Sequence, residues 1–590
     1  MNLTLFLKAS FWTSLLTLIA AHLFCPFAYA QSNLGVVRGE TRDPGGLLPL
    51  GDAHVWAHNL DDGVDRTVIS GVDGSFLMEG LKPGRYQLSA TKEGFASSSR
   101  TTFDLAARQD LRIDVPLGEI PASAAAQKTE QGGFFHRLVR AYANDWKGTT
   151  SSGADPVRRG NPAPVDGPPF PFSDWPYGGS VVIGAPWTQS SPLMQALWSG
   201  PHGEAWKKSG VQIYGWLNAG CNVSTSHKSR YANFPEAYAE VSDACLPDQQ
   251  VLYIERQPDT VQKDHFDWGF RFTNLYGIDY RFTTAKGYFS HQLLGKNYEY
   301  GDDLVMAYVD LYFPHVADGM NVRIGRYISL PDIEAQLAPN NYTYSHSLLY
   351  TFDAYTQTGV NTTIKLNDHW MVQVGLSAGN DVAPWVGEPD AKPTFNSCVS
   401  YSWQQGRDSH YACLNSLNSG KYAYNNLQSV YYTWYHKFGN SSWHTATEWW
   451  YMWEKNVPNI SPGAPAAAAS LLITGANGAF CDSLTELSCA APEEAVVNYL
   501  EKQFSKHDYL TIRNEFFDDM RGQRTGTKSR YSEHLLGWGH WVGNTILFRP
   551  ELRFEHSYDL PAYDSPCLPC GSPGTKKSQF TASGDVIFFF

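Results

Sequence analysis

The stretch ILFRPELRFE, residues 546–555, has a charged residue at every second position of its later part. These charged residues are Arg549, Glu551, Arg553 and Glu555, and the apolar residues among them are Phe548, Leu552 and Phe554. Steps of two residues scatter around a helix, but they line one face of a strand. The stretch is therefore predicted to be a strand with one charged and one apolar face. The fold depends on which solvent meets each face.

The composition of the whole chain limits the function. The chain has 590 residues, enough for two to four domains. Its net charge of −13 excludes an electrostatic nucleic-acid binder, which needs a basic surface. Aromatic residues make up 14%, which is high for a soluble domain. After the N-terminal segment no apolar run is long enough for a transmembrane helix, so none is expected.

Residues 1–30 have the pattern of a secretory signal peptide. Lys8 supplies positive charge, FWTSLLTLIA begins an apolar core, and Ala28-Tyr29-Ala30 forms a cleavage site before Gln31. The alternative is an anchoring helix. The early cleavage site and the polar sequence that follows favour a signal peptide, so the mature protein is expected to be exported.

Eight cysteines remain after removal of the signal peptide, and they fall in pairs that are close in sequence. The pairs are Cys221 and Cys245, Cys398 and Cys413, Cys481 and Cys489, and Cys567 and Cys570. In an exported protein such pairs indicate local disulfides, here predicted in loops. No cysteine spacing of a zinc site is present, and the motif at 567–570 lacks a thioredoxin-like context. No metal and no cofactor are therefore predicted.

Residues 34–118 are predicted to form a small β-sandwich. Short alternating strands are separated there by Gly and Pro turns. The succession of Gly39, Asp43, DGSF at 73–76, PGRY at 83–86 and GF at 94–95 resembles the carboxypeptidase regulatory-like domain. This resemblance implies a transthyretin-like sandwich without peptidase activity.

Residues 119–205 are predicted to link this sandwich to the rest of the chain. PASAAAQKTEQGG is a flexible linker, and NPAPVDGPPFPFSDWPYGG is Pro-rich and extended. Between them, FFHRLVRAYANDWK has apolar residues at helical spacing, namely Phe135, Leu138, Val139, Tyr142 and Trp146. This amphipathic helix is expected to pack against a neighbouring domain. The alternative is a helix that lies on a membrane surface.

Residues 206–590 are predicted to form a transmembrane antiparallel β-barrel of an all-β protein. Strand-length alternating segments, including IDYRFTTA at 278–285, are separated by gaps that are alternately short and long. We count fourteen strands, with twelve or sixteen as alternatives, and seven outer loops. Outer-membrane barrels sort their connections in this way. All eight mature cysteines fall in the long gaps.

A barrel gives both faces of the opening strand a suitable solvent. The apolar face meets lipid, and the charged face lines a water-filled lumen. The predicted pore-lining residues are Arg271, Asp279, Arg281, Asp310, Arg323, Arg513, Glu515, Arg549, Glu551, Arg553 and Glu555. The alternative is that these charges form salt bridges which fill a closed interior. Fourteen strands should enclose a lumen too wide for side chains alone to fill.

Several segments of this region resemble one family. DWGFRFTNLYGIDYRFT, MAYVDLYFP, GMNVRIGRYISLPDIEAQLAPNNYTYSHSLLY and FRPELRFE are similar to the OmpL-like β-barrel porin family. The alternating apolar residues that end in Phe588 and Phe590 resemble the assembly signal of outer-membrane proteins. The resemblance implies an outer-membrane pore and does not carry over a substrate.

The predicted function is a porin for passive diffusion of small polar solutes. The segment SLPDIEAQLAPNNYTYSHS, residues 329–347, could fold into the lumen as a constriction loop. Asp332 and Glu334 would then face Arg271, Arg281 and Arg323, and opposed charges would orient polar solutes. The alternative is that this segment caps the outside of the barrel.

The predicted localisation is the bacterial outer membrane, with the N-terminal domain in the periplasm. The expected partners are outer-membrane lipid, the barrel-assembly machinery, small polar solutes and a periplasmic partner of the N-terminal domain. Adhesion through the long loops is an alternative. Energy-coupled uptake is disfavoured because no plug domain fits in residues 119–205 and such barrels have roughly 22 strands. An enzyme based on Ser532, His534 or His444 is disfavoured because no G-x-S-x-G motif occurs.

Overall fold

The computed structural model describes two compact units, residues 1–128 and 129–590. In the first it describes residues 35–118 apart from 44–48, 52, 62–63, 72–73, 93–94, 96, 99 and 107–108. In the second it describes 132–147, 183 and 191–590 apart from 261, 330–331, 368, 388–389, 404–407, 420–426, 439–440, 472–477, 506 and 568–571. The predicted signal peptide, the Pro-rich segment and the flexible linker as far as residue 131 lie outside the described residues.

The first unit contains two four-stranded sheets. Its strands are β1 (Gly35–Arg42), β2 (His54–Asn59), β3 (Asp65–Ile69), β4 (Ser75–Leu81), β5 (Gly84–Thr91), β6 (Thr101–Leu105), β7 (Asp110–Arg112) and β8 (Val115–Pro116). One sheet has the order β4-β1-β7 with β8 beside β1, and the other has the order β3-β2-β5-β6. Alternate residues of both sheets, among them Val37, Val55 and Leu88, share one buried core.

The second unit is a closed barrel of sixteen antiparallel strands. The strands are β9 (Gln212–Ser224), β10 (Cys245–Arg256), β11 (Asp267–Gly277), β12 (Gly301–Phe313), β13 (Met320–Ile328), β14 (Thr356–Lys365), β15 (Trp370–Asn380), β16 (Thr394–Trp403), β17 (Asp408–Leu417), β18 (Gln428–Lys437), β19 (Trp443–Pro458), β20 (Ser488–Gln503), β21 (Asp508–Asp519), β22 (Ser529–Val542), β23 (Ile546–Ser557) and β24 (Ser578–Phe589). Each strand pairs with the next, and β24 pairs with β9. The all-β barrel is confirmed, whereas the main count of fourteen strands was wrong and the alternative of sixteen is found.

Four segments account for the difference in count. β10, β16 and β17 were not predicted, and residues 278–285 are not a strand. Within 278–285 the chain forms the helical turn α4 (Tyr280–Thr283) instead. Ile278, Tyr280 and Phe282 alternate with polar residues, which suggested a strand. The stretch is too short for this pattern to distinguish the period of a strand from that of a helix.

Burial alternates along the opening strand, β23. Phe548, Leu552 and Phe554 are 42%, 48% and 41% exposed on the outer face. On the inner face, Arg549, Glu551, Arg553 and Glu555 are all buried. The strand therefore has an apolar outer face and a charged inner face, as the sequence predicted.

The connections between barrel strands are sorted by end. At one end the connections are 257–266, 314–319, 366–369, 404–407, 438–442, 504–507 and 543–545. At the other end the loops are 225–244, 278–300, 329–355, 381–393, 418–427, 459–487, 520–528 and 558–577. These are eight loops rather than the predicted seven, because a sixteen-stranded barrel has one more hairpin than a fourteen-stranded one.

Helices are short in the described part of the chain. They are α1 (Phe134–Lys147), α2 (Pro192–Trp198), α3 (Gly203–Ser209), α4, α5 (Leu348–Thr351) and α6 (Ala466–Ala469), with 3-10 turns at Ala338–Asn340 and Pro384–Val386 and a π turn at His291–Gly295. None of these described helices combines the length and apolar character needed to cross a membrane.

The disulfides join the expected cysteines, but two of them lie in strands rather than in loops. Cys221–Cys245 links β9 to β10, and Cys398–Cys413 links β16 to β17, in each case between register partners. Cys481–Cys489 ties loop 459–487 to the start of β20. Cys567 is disulfide-bonded, and Cys570 lies outside the described residues.

Candidate pore interior

The segment between β13 and β14 folds into the barrel. Every residue from 332 to 354 is buried, and we call residues 332–354 the inner loop. Its shape is fixed by its own polar groups. Asn341 exchanges two hydrogen bonds with the backbone of Ala335, and the Glu334 carboxylate accepts the backbone N–H of Ser347. Ser347 in turn caps α5 by accepting the N–H of Tyr350.

The charged face of β23 holds this inner loop. Arg549 Nη1 donates to the carbonyl oxygens of Ala338 at 2.7 Å and Asn341 at 2.8 Å. The Glu551 carboxylate accepts the N–H groups of Tyr344 at 3.0 Å and Ser345 at 3.1 Å. Arg553 Nη1 donates to the carbonyl oxygen of His346 at 2.8 Å. Side chains of one strand therefore satisfy backbone groups of an irregular segment.

β21 forms a second anchor with the same chemistry. Arg513 Nη1 donates to the carbonyl oxygen of Ser345 at 2.6 Å and lies 3.3 Å from the Glu334 carboxylate. The Glu515 carboxylate accepts the N–H groups of Leu348 and Leu349 at 2.8 and 2.5 Å. These two N–H groups belong to the first turn of α5, where a helix has free donors and a carboxylate is favourable.

The strand arginines are paired with carboxylates inside the barrel. Arg553 lies 3.2 Å from Glu236, 3.4 Å from Glu533 and 2.8 Å from Glu555. Arg513 lies 2.9 Å from Glu533, so that carboxylate joins both arginines. Arg549 is paired with Asp585. On β21 and β23 the arginines therefore form the salt bridges that the sequence left open as an alternative, and the inner loop lies against them.

Other predicted pore-lining residues are also buried in the barrel. Arg271 is paired with Glu255 at 2.6 Å, and Arg323 is paired with Asp310 at 2.9 Å. Arg271 lies on β11 between the outward Phe270 and Phe272, as the alternation predicted. Each of these arginines is paired with a carboxylate on the adjacent strand.

Asp279 and Arg281 are corrected by the structure. They lie in and beside α4, in the loop after β11, and not on a strand. Asp279 accepts a hydrogen bond from Gln249 Nε2 at 2.9 Å, and Arg281 lies 3.6 Å from Glu240 of loop 225–244. Both residues therefore contribute to the packing of loops.

The expected partners of Asp332 and Glu334 are also corrected. Glu334 contacts Arg513 instead of Arg271, Arg281 or Arg323. Burial raises the pKa of the Glu334 carboxyl to about 7, against the opposing effect of Arg513. Burial likewise raises the pKa of Asp332 well above its ordinary value, and the neighbouring carboxyls of Asp353 and Glu448 add to the shift. Asp332 therefore lies among carboxyls, and not opposite the arginines that the sequence predicted.

Some residues of this interior were missed in the sequence. Glu533 and Asp585 lie on predicted strands at inward positions, so the alternation could have found them. Glu255 belongs to the unpredicted β10. Glu236 lies in loop 225–244 and is fully buried. Its burial could not be predicted from the sequence, because the loop has no periodic pattern. In the same loop Tyr238 stacks on His346 with ring centroids 3.9 Å apart, so a second loop covers the inner loop.

The residues considered for catalysis are separated in the barrel. His444 faces inward and pairs with the hydroxyl of Tyr342 at 3.0 Å. His534 is exposed on the outer face of β22, where it pairs with Asn514. Among the described residues, no group of three or more His, Cys, Asp or Glu side chains is arranged to hold a metal ion.

Comparison with known families decides the identity of the barrel. The model of the OmpL-like beta-barrel porin-2 family matches residues 210–590. The chain belongs to this porin family. A carboxypeptidase regulatory-like domain matches residues 36–118. Both resemblances inferred from the sequence are confirmed, and membership of a porin family indicates the outer membrane and a channel rather than an enzyme.

Solved structures similar to this porin-2 family member have low sequence identity to it. An anion-selective porin from Comamonas acidovorans is 10% identical, with 64% of this chain and 99% of that chain covered and a TM-score of 0.41. OprB of Pseudomonas putida is 12% identical, with 69% of this chain and 100% of that chain covered and a TM-score of 0.40. The outer-membrane channel DcaP of Acinetobacter baumannii is 11% identical, with 65% of this chain and 98% of that chain covered and a TM-score of 0.39. The search of curated proteins gives no significant match.

Proposed function

We propose that the barrel is an outer-membrane porin through which small polar solutes diffuse passively, with the N-terminal unit in the periplasm. The observation that carries this proposal is the inner loop, held inside a closed barrel by charged strand residues. A loop anchored in this way narrows a lumen of sixteen strands to the dimensions of small molecules.

The solute path we propose runs between the inner loop and the wall formed by β13 to β17. The loop anchors described above lie on β21 and β23, while β13 to β17 carry several buried neutral polar residues. Side-chain atoms of Asn321, Asn361, Gln373 and Tyr411 on this wall are buried, and the described part of the chain offers them no hydrogen-bond partner. Buried polar atoms are almost always bonded to protein or to water. A hydrated path along this wall satisfies them.

The charge of Arg323 on β13 is offset by Asp310 on the neighbouring β12, which supports the passage of polar solutes whatever their charge. Arg323 and Asp310 are bonded through two nitrogen–oxygen pairs of 2.9 Å each, and Arg323 also stacks over the ring of Tyr308 at 3.7 Å. Because the two charges offset each other, we propose that solute size and polarity, and not net charge, decide passage here.

Single-channel conductance in a planar lipid bilayer tests the proposal. The purified wild-type protein should give discrete conductance steps. Gln373→Trp, which enlarges an inward side chain of β15, should lower the unitary conductance several-fold. The matched control is Val374→Trp, whose side chain is 52% exposed on the outer face of the same strand; it should conduct like the wild type.

The outcomes separate the two parts of the proposal. Absence of conductance steps in the folded wild-type protein would contradict the porin function. Conductance steps that are unchanged by Gln373→Trp would instead show that the path does not run along β13 to β17. A change in ion selectivity on replacing Arg323 and Asp310 together would contradict the inference that their charges offset.

A further inference from the structure

Helix α1 has its polar and apolar residues in an unusual arrangement. Its buried residues are Arg137, Ala141 and Asp145. The apolar Phe135, Val139 and Trp146 are instead 78%, 68% and 50% exposed. Single exposed apolar residues are common, but three on one face of a short helix mark a contact surface. The buried polar residues show that this orientation is held in place.

The polar contacts fix α1 to the rim of the barrel where β23 begins. The Asp145 carboxylate accepts the N–H of Asn544 at 2.9 Å and the hydroxyl of Thr545 at 2.8 Å. Trp146 Nε1 donates to Thr545 Oγ1 at 2.9 Å. Residues 543–545 are a short turn between β22 and β23, so the helix lies at the end of the barrel that has the short turns.

On the barrel side, α1 continues the outer surface. The hydroxyl of Tyr142 donates to the carbonyl oxygen of Phe589 at 3.0 Å, and its ring stacks on Phe588 with centroids 5.2 Å apart. Phe588 points outward from β24, because the residues on either side of it, Ile587 and Phe589, are buried inside. The helix is therefore attached to the face of the barrel that meets lipid.

The same end of the barrel carries a belt of exposed aromatic residues. Next to its short turns, the outward side chains are Phe266, Trp268, Trp370, Phe438, Phe504, Trp538 and Phe548. Aromatic belts of this kind lie at the membrane–water interface, and the end with short turns is the periplasmic one. The apolar face of α1 adjoins this belt through Phe588.

The neighbouring face of α1 is polar and basic. His136, Arg140 and Lys147 are exposed, each one position after an exposed apolar residue. Phe and Trp on one face with basic residues beside them are the composition of helices that lie in a lipid interface. Basic side chains there meet phosphate groups of phospholipids.

We infer that α1 lies in the lipid–water interface of the inner leaflet, with Phe135, Val139 and Trp146 embedded in phospholipid. This inference rests on the proposed insertion of the barrel in the outer membrane. A protein cover on the same face, including one from the N-terminal unit, is the competing outcome of the test below.

Spin-label accessibility in vesicles tests this inference. Full-length protein is reconstituted in vesicles of phosphatidylethanolamine and phosphatidylglycerol, with a nitroxide attached at Val139→Cys. The matched control is Arg140→Cys on the neighbouring face, and Leu552→Cys on the outer face of β23 reports insertion of the barrel. Collisions with oxygen relative to a water-soluble nickel chelate should be several-fold higher at 139 than at 140 and should approach the ratio at 552.

Each outcome decides the inference. Equal ratios at 139 and 140, with a lipid-exposed label at 552, would show that α1 lies in water although the barrel is inserted. Few collisions with either reagent at 139 would show that protein covers the helix. A label at 552 in water would overturn the insertion of the barrel together with this inference. Phe135→Cys provides a second site on the apolar face and should behave like Val139→Cys.

Discussion

At the scale of single residues, the barrel interior depends on arginines shared between several carboxylates. Arg553 is fully buried and contacts Glu236, Glu533 and Glu555. Removing one partner of a buried ion pair leaves an uncompensated charge and costs about 3–5 kcal/mol. By contrast, Arg530 and Asp559 form a pair at 2.8 Å whose side chains are 53% and 40% exposed.

We therefore predict that Arg553→Ala unfolds at a clearly lower temperature than the wild type. Arg530→Ala should change the free energy of unfolding by no more than about 1 kcal/mol, because exposed pairs contribute little. Thermal unfolding of both variants in the same detergent, followed by circular dichroism, measures the difference. Equal shifts for the two variants would show that the Arg553 cluster does not stabilise the barrel.

The sequence predicts the direction of individual side chains better than their partners. Alternation alone placed Arg549 and Arg553 on the inner face of β23, because strand geometry leaves only two faces. It could not show that these residues bind the backbone of residues 338–346, since that contact depends on how an irregular loop folds. It also misplaced Asp279 and Arg281, where a short alternating run forms a helical turn.

At the scale of elements, the inner loop carries buried acids whose protonation is coupled to its position. Burial raises the pKa of Glu334 to about 7 and that of Asp353 to about 6. Around Glu334 lie Arg513, Arg553 and Glu533. A carboxyl that binds its proton more tightly in the docked loop favours docking at low pH. That contribution is complete below about pH 4.5, the ordinary value for Glu, and is lost as the pH rises through about 7.

We therefore predict that the docked inner loop is held more firmly in acid and that conductance is lower at pH 5 than at pH 8. Glu334→Gln should reduce this difference, because glutamine stays neutral across the range. Asp559→Asn is the control, since the nearby Arg530 lowers the pKa of that loop carboxyl and it does not titrate between these values. Planar-bilayer recordings at fixed salt make the comparison. A conductance that rises in acid would reverse the predicted sign.

The elements missed in the sequence share weak patterns. β16 and β17 contain many Ser, Asn and Cys residues and offer little contrast between faces. β10 contains Pro247, where its register with β9 shifts. One signal was available. Cys398 and Cys413 are 15 positions apart, and a disulfide over so short a separation is compatible with two paired strands of a hairpin.

At the scale of the whole molecule, the barrel is closed where β24 meets β9. Phe590 completes this seam, because its N–H donates to the carbonyl oxygen of Gly215 and its carbonyl oxygen accepts the N–H of Gly215. The number of strands in such a closed sheet sets its width. An error of two strands in the sequence-based count therefore changes the predicted lumen, although the barrel itself and its outer face were predicted correctly.

We predict that deleting Phe590 lowers the yield of assembled barrel several-fold. The deletion removes two hydrogen bonds at the seam and the last aromatic residue of the predicted assembly signal. Phe590→Tyr is the control, because it retains the backbone pair and an aromatic ring. The amount of heat-modifiable protein in isolated outer membranes measures assembly. Equal yields of the deletion and the control would remove Phe590 from the assembly signal.

The contact between Asp145 and the turn at 543–545 also has a consequence for the order of folding. The bonded residues are about 400 positions apart in the sequence. Contacts of such long range form late, since most of the chain must be arranged before they can be made. Asp145 cannot make these hydrogen bonds until the hairpin of β22 and β23 has formed. Docking of this helix, which is synthesised before the barrel, therefore depends on a hairpin near the C-terminal end of the barrel and occurs late in folding.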